Sequence, residues 1–331
     1  MDDTSDFLPW WVRHQRLVLA ASAVVLVAAV SAWFVAETQL AAGVERCDPE
    51  AEAELGSDDW ASGVVDVAAF TPLDEPGGGD WRAIHKEPRQ CFSDWLDRKR
   101  QDVTQERRTL YLQPIGSFDA EASPDMETLA EFGRIYFGLP VKVMEPLDPA
   151  SLELSKRQLG GEEQWLTTDV LDELETRLPN DAYAMLGLTM TDLWPGDGWN
   201  FVFGQARLSG RVGIYSFARY DPGPGVRPAD DRRRMILLRS MKVMSHETGH
   251  MFGITHCLHY ECNMNGSNSL YETDSQPIHL CPVDLRKLHH AVSFDIHRRY
   301  LALAEFYAEQ GLVEQAEFVR LRASTNQPKT D

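Results

Sequence analysis

One stretch of eleven residues, 246–256, constrains this chain more than any other, and it reads HETGHMFGITH. Residues four apart lie one above the other on an α-helix, so His246 and His250 place two imidazoles on one face. Gly253 is where the chain can leave that helix, because glycine takes a left-handed turn without steric cost. The turn brings His256 back toward the first two rings. The stretch therefore predicts a helix that ends beside three imidazoles.

Three neutral imidazoles are a common ligand set of catalytic zinc, whose fourth position stays open to water. Glu247 stands next to the first histidine, where its carboxylate can take a proton from that water as the general base. The alternative is a buried helix that happens to carry polar histidines, but the complete pattern is a rare coincidence in a chain of this composition. We therefore predict a catalytic zinc site at His246, His250 and His256.

A second group of candidate ligands follows the third histidine, and it contains three of the five cysteines: Cys257, Cys262 and Cys281. Structural zinc usually has four ligands in two closely spaced pairs, and the position that would complete the second pair holds Asp284. An aspartate oxygen binds zinc at a similar distance, so three cysteines and one aspartate are a candidate second site. His259 or His279 could instead supply the fourth ligand. The simpler alternatives are buried apolar cysteines, or a disulfide between two of them in an oxidising compartment.

Residues 17–36, LVLAASAVVLVAAVSAWFVA, form an uncharged apolar run that is long enough to cross a bilayer as a helix. Two arginines precede the run and a glutamate follows it, so the positive-inside rule predicts a cytoplasmic segment 1–16 and an extracytoplasmic body. The prediction is a single-pass membrane protein. The alternative is a signal peptide cleaved near Val30-Ser31-Ala32, which would make the protein secreted. Both interpretations export the body of the chain.

Residues 37–107 contain acidic clusters and the turn-forming sequence Pro76-Gly77-Gly78-Gly79, which indicates a stalk and an irregular N-terminal extension. Cys47 and Cys91 fall in this region. Outside the cytoplasm the two cysteines could pair and attach the extension to the domain. The alternative is two unpaired thiols.

From residue 108 the hydrophobic pattern alternates between strands and helices, which predicts an α/β fold with a mixed sheet. The predicted strands lie at residues 109–118, 141–144, 182–191, 200–207 and 212–219. Predicted helices cover residues 124–137 and 166–178, and a long helix begins at Asp230-Asp231 and reaches His246. Three amphipathic helices follow at residues 285–292, 295–310 and 312–323, either as packing surface or as a partner-binding hairpin. The predicted catalytic domain is therefore 108–323, followed by a polar tail at 324–331.

The formal net charge of −19 argues against nucleic acid as a partner, because phosphate binding requires a basic surface. The same charge conflicts with an interpretation of the cysteine cluster as a nucleic-acid-binding zinc finger.

With both clusters in view, the chain resembles the archaemetzincins, a family of zinc metallopeptidases in the metzincin clan. The resemblance begins with HETGHMFGITHC at 246–257, Cys262-Asn263-Met264 and Leu280-Cys281-Pro282. It extends upstream through LTMTDLWPGDGWNFVFGQA at 188–206, RVGIYSFARY at 211–220 and LYLQPIGSF at 110–118. Together these motifs cover about residues 108–308 and leave the first 107 residues outside the resemblance.

The resemblance implies a metzincin-like fold: a twisted mixed sheet, a long active-site helix and a small, mostly helical C-terminal part. It implies that His246, His250 and His256 bind the catalytic zinc and that Glu247 is the general base. Met264 matches the methionine of the family's Met-turn, a hydrophobic floor under the zinc. The cysteines Cys257, Cys262 and Cys281 match three of the four that hold the family's second, structural zinc. Asp284 replaces the fourth cysteine.

We therefore expect a zinc-dependent peptidase whose zinc-activated water attacks the peptide bond of a peptide or protein substrate. The edge strand around 200–207 is expected to hold an extended substrate by backbone pairing. The alternative function is a membrane-tethered zinc-binding pseudoprotease that binds peptides without cleaving them.

Overall fold

The computed structural model describes residues 69–325, apart from residues 209, 224 and 226. The predicted cytoplasmic segment 1–16, the predicted membrane span 17–36, Cys47 and most of the polar tail lie outside the described residues. Among the described residues, no helix combines the length and the apolar character that crossing a bilayer requires. Residues 69–195 and 201–325 belong to one compact unit, and the short segment 196–200 is not part of it.

The strands follow one another as β1 (Thr109–Ile115), β2 (Val141–Val143), β3 (Lys156–Leu159), β4 (Glu162–Leu166), β5 (Ala182–Thr189), β6 (Asp192–Trp194), β7 (Gly204–Ala206) and β8 (Val212–Ser216). Five of them form the main sheet in the order β2-β1-β5-β8-β7. The first four of these strands run parallel, and β7 pairs antiparallel with β8 at the edge. The mixed α/β sheet that the sequence predicts is therefore confirmed.

The helices are α1 (Trp81–Ile84), α2 (Phe92–Asp97), α3 (Met126–Phe137), α4 (Thr167–Thr176), α5 (Ala229–Met251), α6 (Leu270–Ser275), α7 (Pro282–Val292), α8 (Ile296–Glu309) and α9 (Val313–Thr325). A short 3₁₀ helix lies at Pro149–Ser151. The long helix α5 carries two aspartates in its first turn, as predicted. Gly253 follows its end with a φ of 78°, so the chain leaves the helix through the left-handed turn that only glycine takes easily.

The main sheet is buried on both faces. Alternate residues of each strand point in opposite directions, so one strand contributes to a core on each face. Leu186 and Leu188 of β5 join the larger core together with residues of α3, α5, α8 and α9. Met185, the residue before Leu186, points to the opposite face and joins the smaller core under α4. All eight residues of β5 are buried, which explains why this strand reads as a continuous apolar run.

Two parts of the strand prediction are wrong. The edge strand predicted at 200–207 has only the three residues of β7, and a second sheet of order β3-β4-β6 has no counterpart in the prediction. Its first strand, Lys156–Leu159, has the sequence KRQL and is largely exposed, so the apolar alternation that identifies a strand is missing. The C-terminal helices are confirmed, although Leu301 and Leu321 on two of them are exposed.

Residues 69–107 lie in the region predicted as a stalk and irregular extension. Apart from α1 and α2 they are irregular, yet Gln90 and Trp95 contact the chain at the end of α5. The Trp95 indole is fully buried and its N–H donates to the Phe252 carbonyl at 2.8 Å. Cys91 takes part in a disulfide, whereas Cys257, Cys262 and Cys281 are free thiols. Residues 69–107 therefore pack onto the body that carries α5.

Candidate metal centres

The three predicted histidine ligands converge at the end of α5. His246 and His250 lie on one helix face, with their Nε2 atoms 3.1 Å apart, and the loop after Gly253 returns His256 to them. One ring nitrogen from each histidine lies within 4.8 Å of the others. The 3.1 Å between the two Nε2 atoms is close to the distance between two ligands of one zinc ion, each about 2.0–2.1 Å from the metal.

The opposite nitrogen of each ring has a partner that fixes the ring. His246 Nδ1 lies 2.8 Å from the Asn263 carbonyl, and His250 Nδ1 lies 2.7 Å from the Ile254 carbonyl. His256 Nδ1 lies 2.8 Å and 2.9 Å from the two carboxylate oxygens of Glu87. Because these oxygens can only accept, each Nδ1 must carry the proton and donate it. Each Nε2 is therefore left with a bare lone pair.

This arrangement fits a cation. Lone pairs at Nε2 of His246 and His250 face each other at 3.1 Å, which is repulsive unless a positive charge lies between the rings. Protonation of the rings does not supply that charge easily. Burial, with His256 nearby, lowers the pKa of His246 to about 3, and burial lowers the pKa of His250 well below its ordinary value. A zinc ion is the natural partner of three neutral imidazoles held in this tautomer.

Glu247 is buried on α5 beside the first ligand, and it lies against the edge strand of the sheet. A Cβ placed on Gly204 of β7 would lie 2.6 Å from Glu247 Oε1, so the carboxylate occupies space that only glycine leaves free. Burial raises the pKa of Glu247 to about 8. The carboxylate is therefore a stronger base than an exposed one, and a divalent cation beside it favours the ionised form.

Met264 lies under α5, where the resemblance places the methionine of a Met-turn. Its side chain is completely buried and packs against the backbone of Gly249, between the first two ligands. The Met264 carbonyl accepts the Cys257 N–H at 2.8 Å, which links the turn to the residue that follows the third ligand. The buried thioether therefore forms an apolar floor beneath the helix that carries the first two histidines.

The second predicted cluster is also assembled. One atom from each of its four buried members lies within 4.8 Å of the others: Cys257, Cys262, Cys281 and Asp284. Backbone N–H groups donate to two of the sulfurs, to Cys262 Sγ from residues 264 and 281 and to Cys281 Sγ from residue 284. Such donors stabilise thiolates, so the donor set fits a zinc ion.

Asp284 divides its two oxygens between different partners. Oδ2 lies 3.3 Å from Cys262 Sγ, and Oδ1 accepts a hydrogen bond from the buried Lys287 ammonium at 2.8 Å. The other two candidates for the fourth ligand are not in the cluster. His259 Nε2 lies 3.4 Å from the Gln90 carbonyl, and the His279 ring stacks on Phe318 at 3.7 Å. The geometry thus favours one aspartate oxygen as the fourth ligand.

The sequence gives no signal for several residues that complete these centres. Glu87 contacts a ligand 169 positions away in the chain, and no local pattern identifies such a pair. Gln90 bridges the two centres, since its side chain bonds Gly253 O and Thr255 N while its carbonyl accepts from Lys287 Nζ. The lysine could have been noticed one helical turn after Asp284, at a spacing that allows an ion pair.

Comparisons with known proteins identify relatives of this chain. A model described as "Peptidase family M54" matches residues 167–290. Archaemetzincin-2 of Macaca fascicularis is 35% identical over 271 residues, which are 73% of this chain and 75% of the relative. Archaemetzincin-1 of Mus musculus is 30% identical over 257 residues, or 68% of this chain and 51% of the relative. The crystal structure of archaemetzincin from Methanopyrus kandleri is 29% identical, covers 57% of this chain and 98% of its own, and superposes with a TM-score of 0.45.

Proposed function

Because this chain belongs to the archaemetzincin family, peptidase family M54, we propose that its three-histidine centre hydrolyses peptide bonds with Glu247 as the general base. The chain is a zinc metallopeptidase and its substrates are peptides or proteins. One observation carries the assignment of the residues: three imidazoles with their Nδ1 atoms held converge beside a buried carboxylate. All three histidines and the glutamate are present, which favours the peptidase over the pseudoprotease, since degenerate proteases usually lose a ligand or the base.

His246, His250 and His256 would hold a zinc ion, which would supply Lewis-acid polarisation of the scissile carbonyl and a lowered pKa for water, toward about 7. The Glu247 carboxylate accepts one proton from the attacking water and returns it to the nitrogen of the leaving amine. Gly204 has no Cβ, and the Glu247 carboxylate occupies the space that this leaves against β7. Beneath the helix, the buried Met264 excludes water from the far side of the centre.

An extended substrate has a free edge available beside the centre. In the part of the chain that the structure describes, β7 ends the main sheet and pairs only with β8. A peptide segment laid along the outer side of β7 would continue the sheet by backbone hydrogen bonds. Gly204 belongs to this strand and touches Glu247, so a peptide bond on that edge would pass directly by the general base.

The test is the substitution Glu247→Gln, which keeps the size of the side chain and removes its basicity. We expect a loss of peptide turnover by at least about 100-fold, since general-base catalysis contributes roughly that much or more. Zinc content should stay at the wild-type value, and the exposed Glu309→Gln variant should retain full activity as the control. Turnover by a zinc-loaded Glu247→Gln protein at the wild-type rate would remove Glu247 from the mechanism.

We propose that the second cluster holds a structural zinc through three thiolates and one Asp284 oxygen. Cys257 Sγ and Cys281 Sγ lie 3.6 Å apart as free thiols, and a bound metal would protect this pair from oxidation. Elemental analysis of zinc per chain tests both centres together. We expect two zinc ions in the wild type and one in His250→Ala. One zinc ion in the wild type and none in His250→Ala would show that the cysteine cluster holds no metal.

We propose further that residues 17–36 anchor the chain in a membrane with the catalytic body on the extracytoplasmic side. The two arginines before this apolar run and the glutamate after it support this orientation by the positive-inside rule. We expect the full chain to stay in the membrane pellet after alkaline carbonate extraction, and a variant without residues 17–36 to be released. An intact mass that lacks the first thirty-odd residues would instead support signal cleavage and secretion.

A further inference from the structure

The third zinc ligand is oriented differently from the first two. His246 and His250 donate to the main-chain carbonyls of Asn263 and Ile254. Both acceptors belong to the backbone that follows α5. His256 stands on that loop and not on the helix, so helical geometry does not fix its ring. Its acceptor is the side chain of Glu87, from a part of the chain outside the family-matched residues 167–290.

We propose that Glu87 is the positioning residue of the catalytic zinc, because its carboxylate holds the ring and the tautomer of His256. The proposal rests on the proposed function, in which His256 is the third ligand. Both carboxylate oxygens of Glu87 lie within 2.9 Å of His256 Nδ1. The proton is therefore confined to Nδ1, and Nε2 keeps the lone pair that a metal requires.

The Glu87 carboxylate is itself fixed. The side chain is only 11% exposed, and its Oε2 accepts a hydrogen bond from the Trp81 indole N–H at 3.2 Å. The Trp81 ring also meets the His256 ring edge to face, with centroids 5.0 Å apart. Tryptophan and carboxylate thus enclose the third ligand on two sides, and neither can move without disturbing the other.

Trp81 is in turn held by the segment that follows Met264. Its backbone N–H donates to Glu272 Oε1 at 2.8 Å. The indole lies directly on the backbone of Gly266, where an added Cβ would come within 2.4 Å of the ring. Farther along, the Gln90 side chain bonds Gly253 O at 2.9 Å and Thr255 N at 3.1 Å, so the extension also holds the loop that carries His256.

The carboxylate adds charge as well as geometry. A divalent cation on three neutral imidazoles gives the buried centre a net charge of about +2, and one ionised carboxylate on the far side of a ligand offsets part of it. A carboxylate partner also makes the imidazole a stronger donor to the metal. Removing such a partner typically costs about 10- to 100-fold in metal affinity.

The experiment measures zinc affinity in the full chain by competition with a chromophoric chelator, with His250→Ala as the background from all other sites. We expect Glu87→Ala to weaken zinc binding by about 100-fold and Glu87→Gln, which keeps one acceptor oxygen, by about 10-fold. Trp81→Phe removes the indole donor and part of the ring but leaves the Glu87 carboxylate in place, so it should weaken binding less than either. The exposed Glu75→Gln variant in the same extension is the matched control and should equal the wild type.

A cobalt-loaded sample distinguishes positioning from general destabilisation. The d–d absorption of Co²⁺ at the histidine centre should change in Glu87→Ala, because the geometry of one ligand changes. An affinity for zinc within twofold of the wild type in Glu87→Ala would overturn the proposal. So would a lowered unfolding midpoint of the zinc-free protein with unchanged zinc affinity, which would make Glu87 a structural residue only. Since no substrate is used, a wild type that binds zinc and cleaves no peptide would contradict the proposed function alone.

Discussion

Gly249 and Met264 touch through a backbone and a sulfur: a Cβ on Gly249 would lie 2.5 Å from Met264 Sδ. Gly249 is buried within α5 between the two helical ligands, and Met264 has no exposed surface. The helix therefore lacks a side chain at the position where the turn after the third ligand passes beneath it. The absence of a side chain at Gly249 therefore allows α5 and Met264 to approach this closely.

We expect Gly249→Ala to destabilise the protein, although alanine favours a helix by up to about 1 kcal/mol over glycine. The new methyl group overlaps the sulfur of a fully buried side chain, and overpacking of a core costs about 1–3 kcal/mol. A lower urea midpoint and a lower zinc content should follow. Gly78→Ala is the control, because a Cβ added there would have no atom within 4 Å apart from its chain neighbours. Unchanged stability would mean that Met264 moves aside freely.

Gly204→Ala tests the contact between the edge strand and the general base. The added Cβ would displace the Glu247 carboxylate, since the gap to Oε1 is only 2.6 Å. A displacement of about 1 Å at a reacting group can cost about 100-fold in rate, so we expect kcat to fall by that order while zinc content stays constant. Measured turnover of a peptide substrate checks this. Gly79→Ala, in an open loop, should keep the wild-type kcat.

Much of the catalytic centre could be predicted because its parts are close together in the sequence. His246, His250 and Glu247 share one helix, whose period places them, and Gly253 marks where that helix ends. The apolar strand β5 was equally clear, because burial on both faces leaves it without polar residues. In each case a local pattern reports directly on a local structure.

The remaining parts depend on contacts that the sequence does not encode locally. Glu87 and Lys287 look like ordinary charged residues until the fold brings them to His256 and Asp284. The close approaches at Gly204 and Gly249 follow from how β7 and the Met264 turn pack on α5. The hairpin of β3 and β4 was missed because its residues are mostly polar and exposed.

Lys287→Met should destabilise the metal-free protein more than the zinc-loaded one. Lys287 and Asp284 form a buried ion pair of 2.8 Å, and both side chains are almost inaccessible. Loss of one partner of such a pair costs about 3–5 kcal/mol, because the other charge stays buried without compensation. A zinc ion on the other carboxylate oxygen would supply part of that compensation. Urea unfolding with and without zinc measures the difference, and equal losses in both states would contradict a metal at Asp284.

Lys242 provides a test that does not involve a metal ligand. It lies on α5, where its ammonium is buried and donates to the carbonyls of Thr273 and Asp274, each at 3.0 Å. Burial lowers its pKa from 10.5 to about 8, although the Asp274 carboxylate acts in the opposite direction. Between those pH values the unfolded chain holds a proton that the folded chain has lost. Stability from this group therefore rises as pH rises from about 8 to 10.5.

We therefore expect the wild type to gain stability relative to Lys242→Met across this alkaline window. Each unit of pKa shift corresponds to about 1.4 kcal/mol, so the relative gain should approach about 3 kcal/mol. Below pH 8 the ammonium is charged in both states, and the difference between the two proteins should be constant. Urea unfolding from pH 7 to 10.5 measures it, with the exposed Lys99→Met as control. Parallel stability curves for Lys242→Met and the wild type would show that burial leaves this ammonium as basic as an exposed one.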